Sequence, residues 1–183
     1  MSCRDANHCR DYPHDYGCLF LSEGVLDINP RLGRIVNKEE ALAHEKRCEE
    51  LGLIHLIGRD KIDSIWMGVT SNTKLMTICN CCPCCCLFKF LPNLAPKLQE
   101  KILRMPGLSI HVTDDCIGCG ICAEDVCFID AIKIKKGKAV IDDLCRACGG
   151  CVEACPQGAI MLQISDENFV YNTIQHLSKT VEV

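Results

Sequence analysis

Cysteine is the residue type with the most chemistry to offer in this chain: 18 of 183 residues. Ordinary packing does not call for so many thiols, and a level near one in ten signals either disulfides or soft metals. The thiols fall into distinct patterns. Cys116-x2-Cys119-x2-Cys122 and Cys145-x2-Cys148-x2-Cys151 each place three thiolates on one tight loop, a spacing at which a chain wraps three corners of a cubane and must find its fourth ligand elsewhere. Cys79, Cys81, Cys82, Cys84, Cys85 and Cys86 crowd six thiols into eight residues. Cys3, Cys9, Cys18 and Cys48 are scattered before them.

Disulfides belong to oxidising compartments and usually follow a secretory signal. The opening Met1-Ser2-Cys3-Arg4-Asp5 carries no apolar stretch and no cleavage pattern, so a reducing, cytoplasmic setting is expected. No run of 18 or more apolar residues exists that would span a bilayer. The formal charge of -4 makes nucleic acid an unsuitable partner. The acidity is concentrated: up to Gly107 the balance is 14 Lys+Arg against 13 Asp+Glu, and beyond it 6 against 11. The second half therefore reads as an acidic carrier for basic surfaces.

Met105-Pro106-Gly107 punctuates the chain and the cysteine spacing changes character across it. The expected organisation is a cysteine-rich domain over 1–107 and a second domain with a C-terminal tail over 108–183. An internal repeat lies in the second. Cys116, Cys119 and Cys122 recur 29 residues later as Cys145, Cys148 and Cys151, while Cys127 and Ala131-Ile132 recur 28 residues later as Cys155 and Ala159-Ile160. Ile132 to Ile134 and Ala139 to Ile141 flank a hairpin tip, Lys135 to Lys138, and Leu108 to Val112 with Ile160 to Ile164 supply an outer strand pair.

Cys145, Cys148, Cys151 and Cys155-Pro156 match C-x2-C-x2-C-x3-C-P in full. Roughly residues 108 to 165 resemble the two-cluster 4Fe-4S ferredoxin family. That resemblance implies one 4Fe-4S cluster on Cys116, Cys119, Cys122 and Cys155, and a second on Cys145, Cys148, Cys151 and Cys127, each fourth ligand coming from the other repeat. The first repeat departs from the family: Ala123-Glu124-Asp125-Val126 puts four residues before Cys127 where three are usual, and Phe128 stands where proline is expected. The glycines Gly118, Gly120, Gly149 and Gly150 would let backbone N–H groups approach the sulfurs. Zinc sites favour paired C-x2-C units over triplets with a distant fourth ligand, and buried structural thiols would not fall into register.

The run at 79–86 follows a strand-like segment, where α/β units tend to place ligands. It is expected to hold a metal through Cys79, Cys81, Cys82, Cys84, Cys85 and Cys86, completed by Cys18, Cys48 or His14. A third iron-sulfur cluster is favoured, with zinc or a redox-active thiol site as alternatives. The cysteine-rich CCG domains of heterodisulfide reductases resemble it distantly, without a transferable ligand set. In order and composition the whole chain also resembles N-terminally extended ferredoxin-like proteins of anaerobic archaea and bacteria.

The elements that must position the first-half thiols are few. Asn37-Lys38-Glu39-Glu40 reads as a capping box opening a helix to Leu51, stopped at Gly52, with Ala41, His44, Cys48 and Leu51 on one face. Leu53 to Ile57 and Leu75 to Ile78 read as strands, and Asn93 to Arg104 as a helix through Leu94, Leu98 and Ile102. Residues 1–37 read as loop with a turn of helix near Leu19. Cys3 and Cys9 read as a frayed end, the His44 and Cys48 pair as a packed helix face, His55 as a satisfied core histidine, Trp66 and Met67 as core, and Lys135, Lys136 and Lys138 as a solvated tip.

The expected fold is α+β, a small mixed α/β domain followed by a ferredoxin-like two-cluster module with a pseudo-two-fold repeat. The expected function is low-potential one-electron transfer to or from an oxidoreductase partner, with no catalytic residue assigned. The alternative is a redox enzyme whose N-terminal cluster is catalytic and fed by the ferredoxin half.

Overall fold

The computed structural model describes residues 3–182. They divide into two compact units, one formed by residues 3–82 with 174–182 and the other by residues 83–173. Among the described residues no helix is long and apolar enough to cross a membrane.

The first unit runs α1 (Cys3–Ala6), β1 (Leu19–Leu21), α2 (Lys38–Glu50), β2 (Ile54–Gly58), α3 (Lys61–Met67) and β3 (Met76–Cys81). Its sheet has the order β1-β3-β2 and both pairings are antiparallel, so β3 is central. The capping box forms: the Asn37 side chain accepts from Glu40 N–H at 2.8 Å, and the Glu40 carboxylate accepts from Asn37 N–H at 3.2 Å. The helix stops one residue before Gly52, which has φ 69°. Its covered face is the expected one, with Cys48 fully buried and Ala41, His44 and Leu51 half-buried. Leu53, Ile54, Val69 and Leu75 complete the core, and Val181 returns to it near the C-terminus, where Glu182 N–H donates to the Thr73 carbonyl at 2.9 Å.

Three elements differ from the sequence reading. Residues 19–21 are a strand and not a helical turn, because β3 offers them a paired edge in the register Leu19↔Ile78. The strand expected to end at Ile78 runs on to Cys81, which draws Cys79 and Cys81 into the sheet. Trp66 is not core: it is 58% exposed, with Ile62 and Ile65 beside it, because α3 turns Ser64 inward instead. His55 is hydrogen-bonded as expected, its Nδ1 lying 2.7 Å from Asn80 Oδ1 and 3.2 Å from the Glu45 carboxylate, but it is exposed and not core, because it alternates with the inward-facing Ile54 and Leu56 along β2.

The second unit holds α4 (Pro96–Gln99), β4 (Leu108–Val112), β5 (Ile132–Lys135), β6 (Lys138–Ile141), α5 (Gly150–Glu153) and β7 (Ile160–Ile164), and α6 (Phe169–Leu177) begins in it. The twelve-residue helix expected over 93–104 shrinks to α4, no residue of which is buried. A helix that short has no packed face to offset its nucleation cost, and the Gln99 side chain bends back to donate to the Leu94 carbonyl at 2.7 Å. The two strand pairs form where the alternation placed them. β4 and β7 run antiparallel from Leu108↔Ile164 to Val112↔Ile160, and β5 and β6 close through Lys136 and Gly137, both at positive φ as a type I′ turn requires. Cys122, Ile132, Ala139, Cys151 and Ile160 form the buried centre of this unit.

Asp63 on α3 accepts a hydrogen bond from Thr77 Oγ1 on β3 at 2.8 Å, and burial pushes its carboxyl from 3.8 up to about 6. Between those values the folded protein holds the proton more tightly than the unfolded chain, so stability falls as pH rises through that window. Denaturant midpoints measured from about pH 4 to 6.5 should decline for the wild type relative to Asp63→Asn, and equal slopes for the two proteins would contradict the buried carboxyl.

Candidate metal centres

In the second unit, two surface cavities gather the cysteines of the repeat. One is lined by Cys116, Cys119, Cys122 and Cys155 together with Gly118 and Gly120. The other is lined by Cys127, Cys145, Cys148 and Cys151 together with Arg146. Each cavity thus combines a triplet with the fourth cysteine of the other repeat.

The backbone explains why. Thr113 N–H, just ahead of the first triplet, donates to the Ala159 carbonyl just after Cys155, and Asp142 N–H, just ahead of the second triplet, donates to the Ala131 carbonyl just after Cys127, both at 2.9 Å. Each loop is fastened to the segment that carries the other repeat's last cysteine. The conformations repeat as well. Gly118 and Ala147, Gly120 and Gly149, Asp130 and Gly158 are all at positive φ at matching repeat positions. The extra residue before Cys127 is taken up around Asp125, which also has positive φ, and Phe128, in the place of the expected proline, is buried.

Backbone amides point at the sulfurs. Ala131 N–H lies 3.2 Å from Cys127 Sγ and Ala159 N–H 3.3 Å from Cys155 Sγ, while Ala139 and Ala147 approach Cys116 and Cys145 at 3.4 Å. The amides of Ala139 and Gly118 hold the Cys116 thiol below its ordinary range. Burial does the opposite at Cys122, and the charges of Cys116, Cys119 and Cys155 add to it. Burial likewise pushes Cys151 up to about 12, with Cys148, Cys145 and Cys127 adding. Within each cavity the thiolates repel one another, so the set ionises together only around positive charge. Donors that are all sulfur, with amides supporting them, suit an iron-sulfur cluster.

Arg146 adds a charge to the second cavity. Its Nη1 donates to the Leu144 carbonyl at 2.8 Å and its Nη2 to the Gln99 carbonyl at 3.0 Å. Its buried Nε has no hydrogen-bond partner. The matching position in the first loop is Ile117, which is exposed.

The first unit separates thiols that the sequence reading had pooled. Cys18 and Cys79 form a pair, Sγ to Sγ 3.8 Å. Hydrogen bonds from Cys18 and Cys81 hold the Cys79 thiol down, and Cys18, the donor to Cys79 in a buried setting, is pushed up. Cys82, buried at the end of β3, has its sulfur within 4.8 Å of Cys9. The chain continues through Pro83 into Cys84 and Cys85, in the second unit, whose sulfurs are likewise within 4.8 Å of each other. Cys86 serves as a helix cap, its Sγ accepting from Phe88 N–H at 3.4 Å. Cys48 is enclosed in the core and burial pushes it up to about 11. His14 donates to the Cys9 carbonyl at 2.7 Å through Nε2.

Cys9 is the residue that the sequence reading missed. Its segment does not fray: Cys9 N–H donates to the Arg4 carbonyl at 2.9 Å, and the Arg4 guanidinium, 2% exposed, donates to the carbonyls of Asn80 at 2.7 Å and Pro13 at 3.1 Å. Arg4 Nη2 is buried without a hydrogen-bond partner. A guanidinium stays charged, and one buried among neutral carbonyls is costly unless negative charge lies near. The thiol that its charge reaches is Cys48, which it draws down against the upward push of burial. The signal available in the sequence was the thiol content itself, two cysteines within the first nine residues.

Known proteins share parts of this arrangement. Residues 138–161 match the 4Fe-4S binding domain family. The chain is also 33% identical over 67 residues to an uncharacterized ferredoxin of Methanocaldococcus jannaschii, covering 36% of this chain and 42% of that one. Over 49 residues it is 47% identical to one of the subunits of the ion-translocating oxidoreductase complex of Methanosarcina acetivorans, covering 26% of this chain and 18% of the relative. An uncharacterized Methanocaldococcus jannaschii protein is 28% identical over 110 residues, 57% of this chain and 27% of its own length. The chain spans less than half the length of each of these relatives.

The loop that carries Cys116, Cys119 and Cys122 depends on one glycine. A Cβ on Gly118 would collide with the backbone carbonyl of Gly137, and the residue has φ 67°. Gly118→Ala should cost at least about 1–2 kcal/mol from the left-handed conformation alone, read as a lowered denaturant midpoint together with loss of metal; an unchanged midpoint would show that the loop and hairpin tip part freely.

Proposed function

We propose that this protein relays single electrons through two 4Fe-4S clusters and a third thiolate metal centre, to or from a redox partner in an anaerobic cytoplasm. The first cluster is held by Cys116, Cys119, Cys122 and Cys155, and the second by Cys145, Cys148, Cys151 and Cys127. The observation that supports this most is the lining of the two cavities, each a triplet plus the other repeat's fourth cysteine. A bound 4Fe-4S cluster supplies a one-electron couple. The chain's own residues do the rest. Eight thiolates hold the groups, and the amides of Ala131, Ala139, Ala147 and Ala159 donate toward the sulfurs that carry added charge on reduction. Ile110, Ile129 and Ile132 line the second cavity and limit water there.

For the third centre, the first unit contributes the Cys9 and Cys82 thiols. Thiolate donors of this kind suit iron-sulfur or zinc chemistry. The similarity to a ferredoxin and to a component of an oxidoreductase complex favours a carrier that docks on a larger redox assembly. The negative balance of residues 108–183 favours a basic docking face on that partner.

Protein purified without oxygen should be brown and contain about eight irons and eight acid-labile sulfides per chain from the two cubanes, plus the metal of the third centre. Cys155→Ser and Cys127→Ser should each perturb one cubane, and Cys9→Ser should remove only the additional metal. A colourless protein, or iron unaffected by Cys155→Ser and Cys127→Ser together, would reject this reading. Arg146→Leu should lower the reduction potential of one cluster and leave the other unchanged in an anaerobic electron paramagnetic resonance titration, since a nearby positive charge favours the reduced, more negative state. Equal shifts at both clusters would remove Arg146 from the second site.

A further inference from the structure

We propose that Cys18 and Cys79 form a two-electron thiol–disulfide site, separate from the metal centres, that exchanges with low-molecular-weight disulfides. The strand register carries the argument. Leu19 pairs with Ile78 in the antiparallel β1–β3 ladder, so the next pair outward is Cys18 opposite Cys79. Residues directly opposite in such a ladder have Cα atoms roughly 4.5–5.5 Å apart, inside the span that a disulfide bridges without moving the backbone. The two sulfurs are already 3.8 Å apart, with the Cys18 S–H directed at Cys79.

The pair after that locks the strands together. Asn80, 4% exposed, donates through Nδ2 to the carbonyl of Gly17, the residue opposite it, at 2.9 Å, and His44 donates to the same carbonyl at 3.0 Å. The sulfurs are therefore clamped at contact distance from both sides, by the ladder at Leu19 and by Asn80 at Gly17. A clamp of this kind favours closing a bond between the two sulfurs over opening them around a cation. Both thiols are only partly exposed, which restricts the co-reactant to a small disulfide.

The exchange balances. Cys79 thiolate attacks one sulfur of the small disulfide, breaking its S–S bond, forming a mixed disulfide and releasing one thiolate. That thiolate takes the proton of Cys18. Cys18 then attacks Cys79 Sγ, the internal S–S bond forms, and the second small thiolate leaves and is protonated from water. Counted from the Cys79 thiolate and the Cys18 thiol, the protein loses two electrons and one proton, and the second proton of the two product thiols comes from water; a dithiol reductant reverses it.

The test uses the full-length protein, isolated without oxygen and with its metal bound, exposed to hydroxyethyl disulfide. The expected result is two mercaptoethanol molecules released per chain, a protein mass lower by two hydrogens, a Cys18–Cys79 link in fragmentation spectra, and reversal by dithiothreitol. Cys18→Ser should stop at a mercaptoethanol adduct on Cys79, with metal content and brown colour unchanged. Loss of metal in Cys18→Ser and also in Cys18→Ala would make Cys18 a ligand and overturn the proposal. So would links or adducts confined to other cysteines in the wild type. Neither outcome touches the two 4Fe-4S clusters, whose iron and colour are read in the same samples.

Discussion

Mutual repulsion between thiolates brought close together is the constraint on which this structure turns. Cys122 and Cys151 are both ligand candidates and members of the buried centre of residues 83–173, so there the binding site and the hydrophobic core are one object. Burial and neighbouring sulfurs push both thiols up, which means that the unmetallated core must keep them neutral while the metallated core draws them into ionisation. Metal loading is then part of folding free energy and not an addition to a finished fold. The short strands β5 and β6 and the four-residue α5 are too small to supply a core without those sulfurs.

Residues 3–82 meet the same constraint by a different route, through a single buried polar residue. Asn80 on β3 uses its whole side chain: Nδ2 donates to Gly17 at 2.9 Å and to Glu45 at 3.2 Å, and Oδ1 accepts from His55 at 2.7 Å. Its backbone carbonyl takes Arg4 at 2.7 Å. One asparagine thereby ties the N-terminal segment, the end of β1, α2 and β2 to the central strand. It sits between Cys79 and Cys81, so the network fixes the direction in which the neighbouring thiols face. An asparagine side chain satisfied at both ends in this way specifies one arrangement where an apolar residue would tolerate several. It also explains why Cys18 and Cys9, only nine residues apart, are delivered to opposite ends of the segment Cys79 to Cys82.

What could be read from the sequence followed the range of the interactions involved. The triplets were legible because three ligands at intervals of three residues constrain a loop by themselves, and the hairpin at Lys136-Gly137 because its turn chemistry is local. The capping box at Asn37 and Glu40 was legible for the same reason. Cys9 was not, since what makes it more than a terminal residue is Arg4 reaching Asn80, 76 positions away. The Cys18–Cys79 pair was hidden because a three-residue strand has no period to detect and exists only through its register with β3. Trp66 misled because large aromatics are usually covered, whereas α3 places its small and acidic residues, Ser64 and Asp63, toward the sheet.

The repeat also shows how little sequence identity is needed to keep a backbone. Gly118 and Ala147 share a left-handed conformation at matching places, although only one of them is glycine, and the difference has a steric cause. At Gly118 the Gly137 carbonyl leaves no room for a side chain. The second loop also carries Arg146 where the first carries Ile117, and turns the guanidinium onto the carbonyls of Asp143, Leu144 and Gln99. A positive charge fixed beside one of two otherwise equivalent thiolate cages breaks their equivalence. Duplication of a loop supplies two sites of one geometry; the electrostatic difference between them comes from the side chains that the shared backbone leaves free to differ.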